Sequence, residues 1–302
     1  MKERAIQFGK SAALTGVVSE PASGMSETER PAFVLLNSGI LHRVGSCRLH
    51  VKLARALAAG GFTSLRFDFS GIGDSEQRRD SLAFEESSVV EVREAMDYLA
   101  QSRGVQNFVL MGLCSGADMG HLTAVQDGRV RGLVFIDPWA YRTPGYWFHH
   151  YGRRVFKAGV WKNWAAIRMR RMLGELSARR GPSQSNDQVA YDVPKYVRVF
   201  PPREQVSQQL ADFVRRGMDI FAIFTSGMPD EYNHRAQYRR SFRDVDFGDR
   251  LRVEFMPTAD HIITDLALQA WLVGEVVTWG CTLLPSPNEA ETHDPTPPPR
   301  PR

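Results

Sequence analysis

The chain has 302 residues, 43% of them hydrophobic and 24% charged, which is enough to bury the core of one large α/β domain and is typical of soluble globular proteins. The residues after Met1 contain no apolar leader, and the most apolar C-terminal stretch, Ile262–Leu284, contains Asp265 and Glu275, so neither a signal peptide nor a membrane span is expected. The cysteines are too far apart for a zinc site or a disulfide framework, and we expect a reducing, cytoplasmic location. They are Cys47, Cys114 and Cys281.

The net charge of +4 is unevenly distributed along the chain. Between Arg142 and Arg216 there are 15 Lys or Arg against 5 Asp or Glu. Such an excess attracts an anionic substrate or an acidic carrier protein, although a solvated helical surface has the same composition. No motif that reads bases accompanies the charge, so nucleic acid is not an expected partner.

Short apolar runs alternate with helical patterns along most of the chain. Two β-prone runs, at residues 6–8 and 14–18, predict an opening hairpin. Helices are predicted over residues 48–59 and 84–102, from Ala117, near Glu231 and at the end of the chain. This alternation favours a mostly parallel sheet with helices on both faces. The predicted strands that follow the hairpin are Ala32–Leu36, Ser64–Phe69, Phe108–Met111, Leu133–Ile136, Ile220–Thr225 and Arg252–Met256.

One segment interrupts the alternation. Residues 139–217 are basic, aromatic and helical in composition, and we interpret them as a helical cap inserted into the α/β core. The core would then comprise residues 1–138 and 218–284. Residues 285–302 are rich in proline and polar residues, which predicts a disordered tail.

The run Gly112-Leu113-Cys114-Ser115-Gly116 follows an apolar strand and precedes a predicted helix. A strand, a Gly-x-nucleophile-x-Gly turn and a helix together form the setting of a nucleophile elbow. Centring the motif on Ser115 would require glycine at Leu113 and Ala117. The spacing therefore favours Cys114, a thiol, as the nucleophile.

A thiol nucleophile needs a base, and the base needs an orienting acid. His261 follows the last predicted strand and is the expected base. Asp230 follows the preceding strand and is the first candidate for the acid, with Glu231 beside it as a close alternative. Asp137, at the end of the strand Leu133–Ile136, is a second possible acid. Asp230 could instead cap a helix.

A tetrahedral intermediate needs two N–H donors. The backbone N–H of Ser115 is one candidate, and that of Ile40 or Leu41 is the other. His42, Leu41 and Trp139 are candidate substrate-binding residues. No metal is expected, because the candidate ligands do not cluster in the sequence.

The chain resembles the α/β-hydrolase superfamily over residues 5–284. Three segments look like those of the exosortase-associated hydrolases and their serine-aminopeptidase-like relatives: residues 37–45 (NSGILHRVG), 66–75 (RFDFSGIGDS) and 259–261 (ADH). The resemblance implies a mostly parallel eight-stranded sheet, an inserted helical cap and hydrolysis of an ester, thioester or related acyl bond. Cys114 departs from the common pattern, because most members have serine at this position.

These features predict an acyl hydrolase, an esterase or thioesterase, that needs no cofactor and acts through an acyl-enzyme on Cys114. Its substrate would be a small acyl compound, either free or held as a thioester on a carrier protein, with no membrane partner. An acyltransferase or cyclase built on the same triad is the alternative, and a non-catalytic binding protein of this fold is a third. Haloalkane and epoxide chemistry would require a carboxylate at the position of Cys114.

Overall fold

The computed structural model describes residues 1–10, 13–22, 30–155 and 198–283. Eight strands in these ranges form one sheet in the order β1-β2-β4-β3-β5-β6-β7-β8. The first two strands form the predicted hairpin; β1 and β2 pair antiparallel, as do β2 and β4, and all other pairs are parallel. The strands are β1 (Lys2–Phe8), β2 (Leu14–Glu20), β3 (Ala32–Leu36), β4 (Ser64–Phe67), β5 (Phe108–Leu113), β6 (Val130–Ile136), β7 (Asp219–Thr225) and β8 (Leu251–Met256).

Helices cover both faces of this sheet, as the alternating pattern predicts. In the described ranges they are α1 (Leu49–Ala59), α2 (Phe84–Arg103), α3 (Ser115–Gln126), α4 (Pro144–Val155), α5 (Arg203–Arg215), α6 (Gln237–Ser241) and α7 (Leu266–Thr282). None of the helices in these ranges combines the length and the apolar character needed to cross a bilayer.

The core is divided into two layers by the sheet. Because side chains alternate along a strand, Val34 and Leu36 of β3 contribute to one hydrophobic cluster, and Phe33 and Leu35 contribute to the other. The first cluster includes side chains of α2, α3 and α5, and the second includes side chains of α1 and α7. All five residues of β3 are buried, which explains why its sequence is continuously apolar.

The structure differs from the sequence-based expectation in one element beyond small shifts of the ends. The helix predicted near Glu231 begins instead at Gln237. Turns precede it, since the N–H groups of Glu231 and Tyr232 both bond the carbonyl of Met228. The side-chain amide of Gln237 then donates to the carbonyl of Glu231 at 2.6 Å, and this bond fixes the turn against the helix.

Much of the predicted cap and the whole proline-rich tail lie outside the described residues, and so does most of the basic segment. At the two ends of the predicted cap, α4 and α5 are helical, as expected. The division into core, cap and tail stays a prediction.

Candidate active site

Cys114 occupies a sharp turn between β5 and α3. Its φ of 54° and ψ of −117° are strained for a residue with a side chain. Both flanking glycines are required by close backbone approach: a Cβ on Gly112 would lie 2.2 Å from the carbonyl carbon of Gly116, and a Cβ on Gly116 would lie 2.7 Å from the carbonyl oxygens of Leu36 and Asn37. The turn therefore has the geometry of a nucleophile elbow centred on Cys114.

Ser115, the rival centre of the motif, has a different position. Its side chain is buried, and its Oγ accepts a hydrogen bond from the backbone N–H of Gly39 at 2.7 Å. Ser115 therefore connects the elbow to the loop that follows β3.

His261 and Asp137 form a direct pair at the carboxyl end of the sheet. His261 Nδ1 lies 2.7 Å from Asp137 Oδ2. This hydrogen bond, followed by one with the Cys114 side chain, raises the pKa of His261 to about 10. Because Nδ1 is hydrogen-bonded to the Asp137 carboxylate, the other ring nitrogen, Nε2, is the one available to the Cys114 sulfur.

Asp137 is fixed by several further bonds. It is buried and has a φ of 49°. Its Oδ1 accepts from the backbone N–H of Thr225 and its Oδ2 from Thr225 Oγ1, both at 2.7 Å. Asp137 directly follows β6, and Thr225 is the last residue of the neighbouring strand β7. The end of β7 therefore fixes the carboxylate that the end of β6 presents.

The structure thus corrects our first choice of acid. Asp230 is exposed. Its backbone carbonyl, not its carboxylate, accepts a hydrogen bond from Arg142 Nε at 3.0 Å. Glu231 is half-buried and lies 3.7 Å from Arg198. Burial raises the pKa of the Glu231 carboxyl, but Asp137 is the carboxylate that contacts His261.

The loop after β3 supplies the second candidate oxyanion donor. The N–H of Leu41 bonds the carbonyl of Ser38 at 3.0 Å, and that of Gly39 bonds Ser115. Within the described part of the chain, the N–H of Ile40 has no such partner, and the residue as a whole is 91% exposed. Ile40 is therefore the better of the two candidates, together with the N–H of Ser115 at the start of α3.

A buried carboxylate holds this loop. Asp68, which is fully buried, accepts bonds from the backbone and guanidinium of Arg43, from the N–H of Asp74 and from Asn37 Nδ2. His42 lies at its edge, with Nε2 2.8 Å from Arg43 Nη1 and 3.5 Å from Asp68. His42, Asp68 and Asp74 are close enough to hold an ion, but the Arg43 guanidinium already forms ion pairs with both carboxylates.

The other two candidate substrate-binding residues differ in accessibility. Leu41 is 37% exposed on the loop after β3. Trp139 is buried, with its ring centre 5.2 Å from that of His121. It lines a narrow crevice together with Ala117 and Pro138. Their roles in binding stay predictions.

Sequence reasoning missed Arg198. Its side chain is 9% exposed and hydrogen-bonds the Asp118 carboxylate, with Nε 2.6 Å from Oδ2. It also reaches the backbone carbonyls of Asp137 and Cys114, at 3.1 and 3.5 Å. An arginine within a generally basic segment carries no sequence signal for such a position.

Comparisons with known proteins agree with this architecture. The family model of the α/β-hydrolase fold matches residues 31–160. A lidless α/β serine hydrolase from Xanthomonas campestris is 16% identical, with a TM-score of 0.52 over 95% of this chain and 97% of that one. The carboxylesterase CesB (YbfK) from Bacillus subtilis is 15% identical, with a TM-score of 0.56 over 93% of each chain.

No curated protein matches the sequence. Sequence identities of this size support the fold only, and the chemistry has to be inferred from the residues of the site. The sheet order, the strained turn at Cys114 and the matching structures together establish that this chain has the α/β-hydrolase fold.

Proposed function

We propose that the protein is an acyl hydrolase that cleaves ester or thioester bonds, with Cys114 as nucleophile, His261 as base and acid, and Asp137 as the residue that orients His261. The observation that carries the proposal is the chain of contacts from Asp137 through His261 to the Cys114 side chain. The last residue of this chain of contacts, Cys114, is held in a strained elbow at the N-terminus of a helix. The solved structures of similar fold include proteins described as a serine hydrolase and a carboxylesterase, and this agrees with ester cleavage.

The raised pKa of His261 favours an imidazolium beside the Cys114 sulfur, and the proposed mechanism takes that sulfur as a thiolate. In the proposed reaction the thiolate sulfur attacks the acyl carbon, and the carbonyl π electrons move to the oxygen. The resulting oxyanion accepts hydrogen bonds from the N–H groups of Ile40 and Ser115. As the carbonyl re-forms, the bond to the leaving group breaks, and His261 donates its proton to that group.

The second half of the reaction releases the acid. Neutral His261 takes a proton from water, and the hydroxide attacks the thioester carbon of the acyl-enzyme. Collapse of the second tetrahedral intermediate breaks its carbon–sulfur bond and releases the acid, so the expelled Cys114 thiolate is again paired with the imidazolium. Asp137 stabilises the positive ring in both halves without itself taking a proton.

Thiol chemistry bears on the choice of substrate. Attack of a thiolate on a thioester exchanges one thioester for another, so loading from a thioester is nearly balanced in energy. A small acyl thioester, free or on a carrier protein, is therefore the substrate class that we favour, with esters as the alternative. Transfer of the acyl group to an alcohol or amine uses the same acyl-enzyme, and product analysis separates transfer from hydrolysis. A reducing, cytoplasmic location suits a free thiol nucleophile.

The test is turnover of a panel of acyl thioesters and aryl esters by Cys114→Ala, with mass spectrometry of the acyl-enzyme. We expect loss of turnover and of the acyl adduct. The other two cysteines are both exposed and provide a matched control, since Cys47→Ser/Cys281→Ser should keep both properties. Full turnover by Cys114→Ala would refute the proposed nucleophile.

A further inference from the structure

One buried guanidinium contacts the two strained residues of the proposed triad. Cys114 and Asp137 both have positive φ, 54° and 49°. Their backbone carbonyls accept from Nη2 and Nη1 of Arg198, respectively. We infer that Arg198 is a positioning residue that holds the backbone of the nucleophile and of the acid in the conformations that the reaction needs. This inference rests on the proposed function.

The geometry of the guanidinium fits this role. Arginine has five N–H donors in a rigid planar fork. Nε and Nη2 bind the Asp118 carboxylate, and the remaining directions of Nη1 and Nη2 face the two carbonyls. Asp118 lies on α3, one turn after Cys114, so the fork joins the elbow, the elbow helix and the end of β6. A lysine has one ammonium group and cannot reach these partners together.

The segment that contains Arg198 is itself anchored. The guanidinium carbon lies 5.2 Å from the ring centre of Phe200. Tyr141 Oη donates to the carbonyl of Pro201 at 2.6 Å. Because α5 begins two residues later, at Arg203, the arginine stands on a supported stretch of backbone. Its contacts with the triad therefore resist displacement.

Arg216 provides a matched control at the other end of α3. It also donates to two backbone carbonyls, those of Ala124 at 2.7 Å and Asp127 at 2.9 Å. Its guanidinium carbon also lies near a phenylalanine ring, that of Phe213, at 5.9 Å. Removing it should cost stability without changing the triad.

The experiment compares Arg198→Met/Asp118→Asn with Arg216→Met, both in the Cys47→Ser/Cys281→Ser background. Asp118→Asn is included because Arg198→Met alone would leave a buried, unpaired carboxylate. We measure kcat and KM for the best thioester, the pH profile of Cys114 alkylation by iodoacetamide, and the melting temperature.

For the double variant we expect kcat to fall on the order of 10²-fold with little change in KM, as for a small misplacement of reacting groups. Alkylation of Cys114 at neutral pH should be slower than in the wild type, because the imidazolium no longer faces the sulfur. Arg216→Met should keep the wild-type kcat and alkylation profile.

The inference is overturned if the folded double variant keeps wild-type kcat and alkylation, or if only KM or the melting temperature changes. If the double variant does not fold, Arg198→Lys decides: a lowered kcat supports the inference and a wild-type kcat overturns it. Cys114→Ala in the same background tests the proposed function separately, since activity there refutes the nucleophile whatever Arg198 does.

Discussion

Gly227 lies directly against the backbone of His261. A Cβ at Gly227 would be 2.1 Å from the His261 nitrogen and 2.6 Å from its Cα. The two loops are also joined by Ser226, whose Oγ donates to the carbonyl of Ala259 at 2.8 Å. The loop after β7, where we first expected the acid, thus supports the histidine instead.

Gly227→Ala should displace His261 and lower kcat on the order of 10²-fold or more, because backbone atoms cannot yield as a flexible side chain does. Steady-state turnover and Cys114 alkylation measure the effect. Gly274→Ala is the control, since a Cβ there meets no atom within 4 Å. Equal activity of the two variants would contradict the close contact.

The two candidate acids give opposite predictions. Asp137→Asn should lower kcat on the order of 10³–10⁴-fold, because the amide favours the wrong tautomer of His261 and cannot stabilise the imidazolium. Asp230→Asn should leave kcat near wild type, since the hydrogen bond from Arg142 is accepted by the backbone carbonyl of Asp230, which the substitution does not change. A large loss in Asp230→Asn, with a small one in Asp137→Asn, would restore our first assignment.

Ser115→Ala should reduce turnover in part and not abolish it. The variant removes the acceptor of the Gly39 N–H and so loosens the loop that presents Ile40. We expect kcat to fall on the order of tenfold, because the N–H of Ile40 would be displaced but still present as an oxyanion donor. Ser102→Ala, which removes a hydroxyl bonded within α2, is the matched control. Complete loss with Ser115→Ala and full activity with Cys114→Ala would mean that the motif is centred on Ser115.

The sequence predicts the strands well because their signal is local. Runs such as Ala32–Leu36 are apolar throughout, and the structure buries every residue of that run. The elbow glycines also form a short motif in the sequence, although only Gly112 is required by a neighbour in the chain; Gly116 is required by the carbonyls of Leu36 and Asn37 at the end of β3.

The carboxylate that contacts His261 could not be chosen from the sequence, since Asp137 and Asp230 both follow strands of the parallel sheet. What selects Asp137 is Thr225, whose N–H and hydroxyl fix the carboxylate from 88 residues away. Arg198 escaped prediction for the same reason. Its partners Cys114 and Asp137 are distant in sequence, and a contact of this kind leaves no periodic pattern.

The raised pKa of His261 predicts how stability depends on pH. A histidine whose pKa is higher in the folded protein stabilises it fully below the unfolded value of about 6.5. That contribution is lost as the pH rises through the folded value, here about 10. Asp137 is the largest cause of the shift, so Asp137→Asn should remove most of this contribution.

Thermal unfolding of wild type and Asp137→Asn between about pH 6 and pH 10 is the measurement. The difference in melting temperature should be largest at the acidic end and should narrow as the imidazolium of the wild type loses its proton. Asp230→Asn should show a small difference that does not change with pH. A difference between wild type and Asp137→Asn that widens toward alkaline pH would mean that His261 is neutral in the folded protein, and the proposed ion pair with Cys114 would then be wrong.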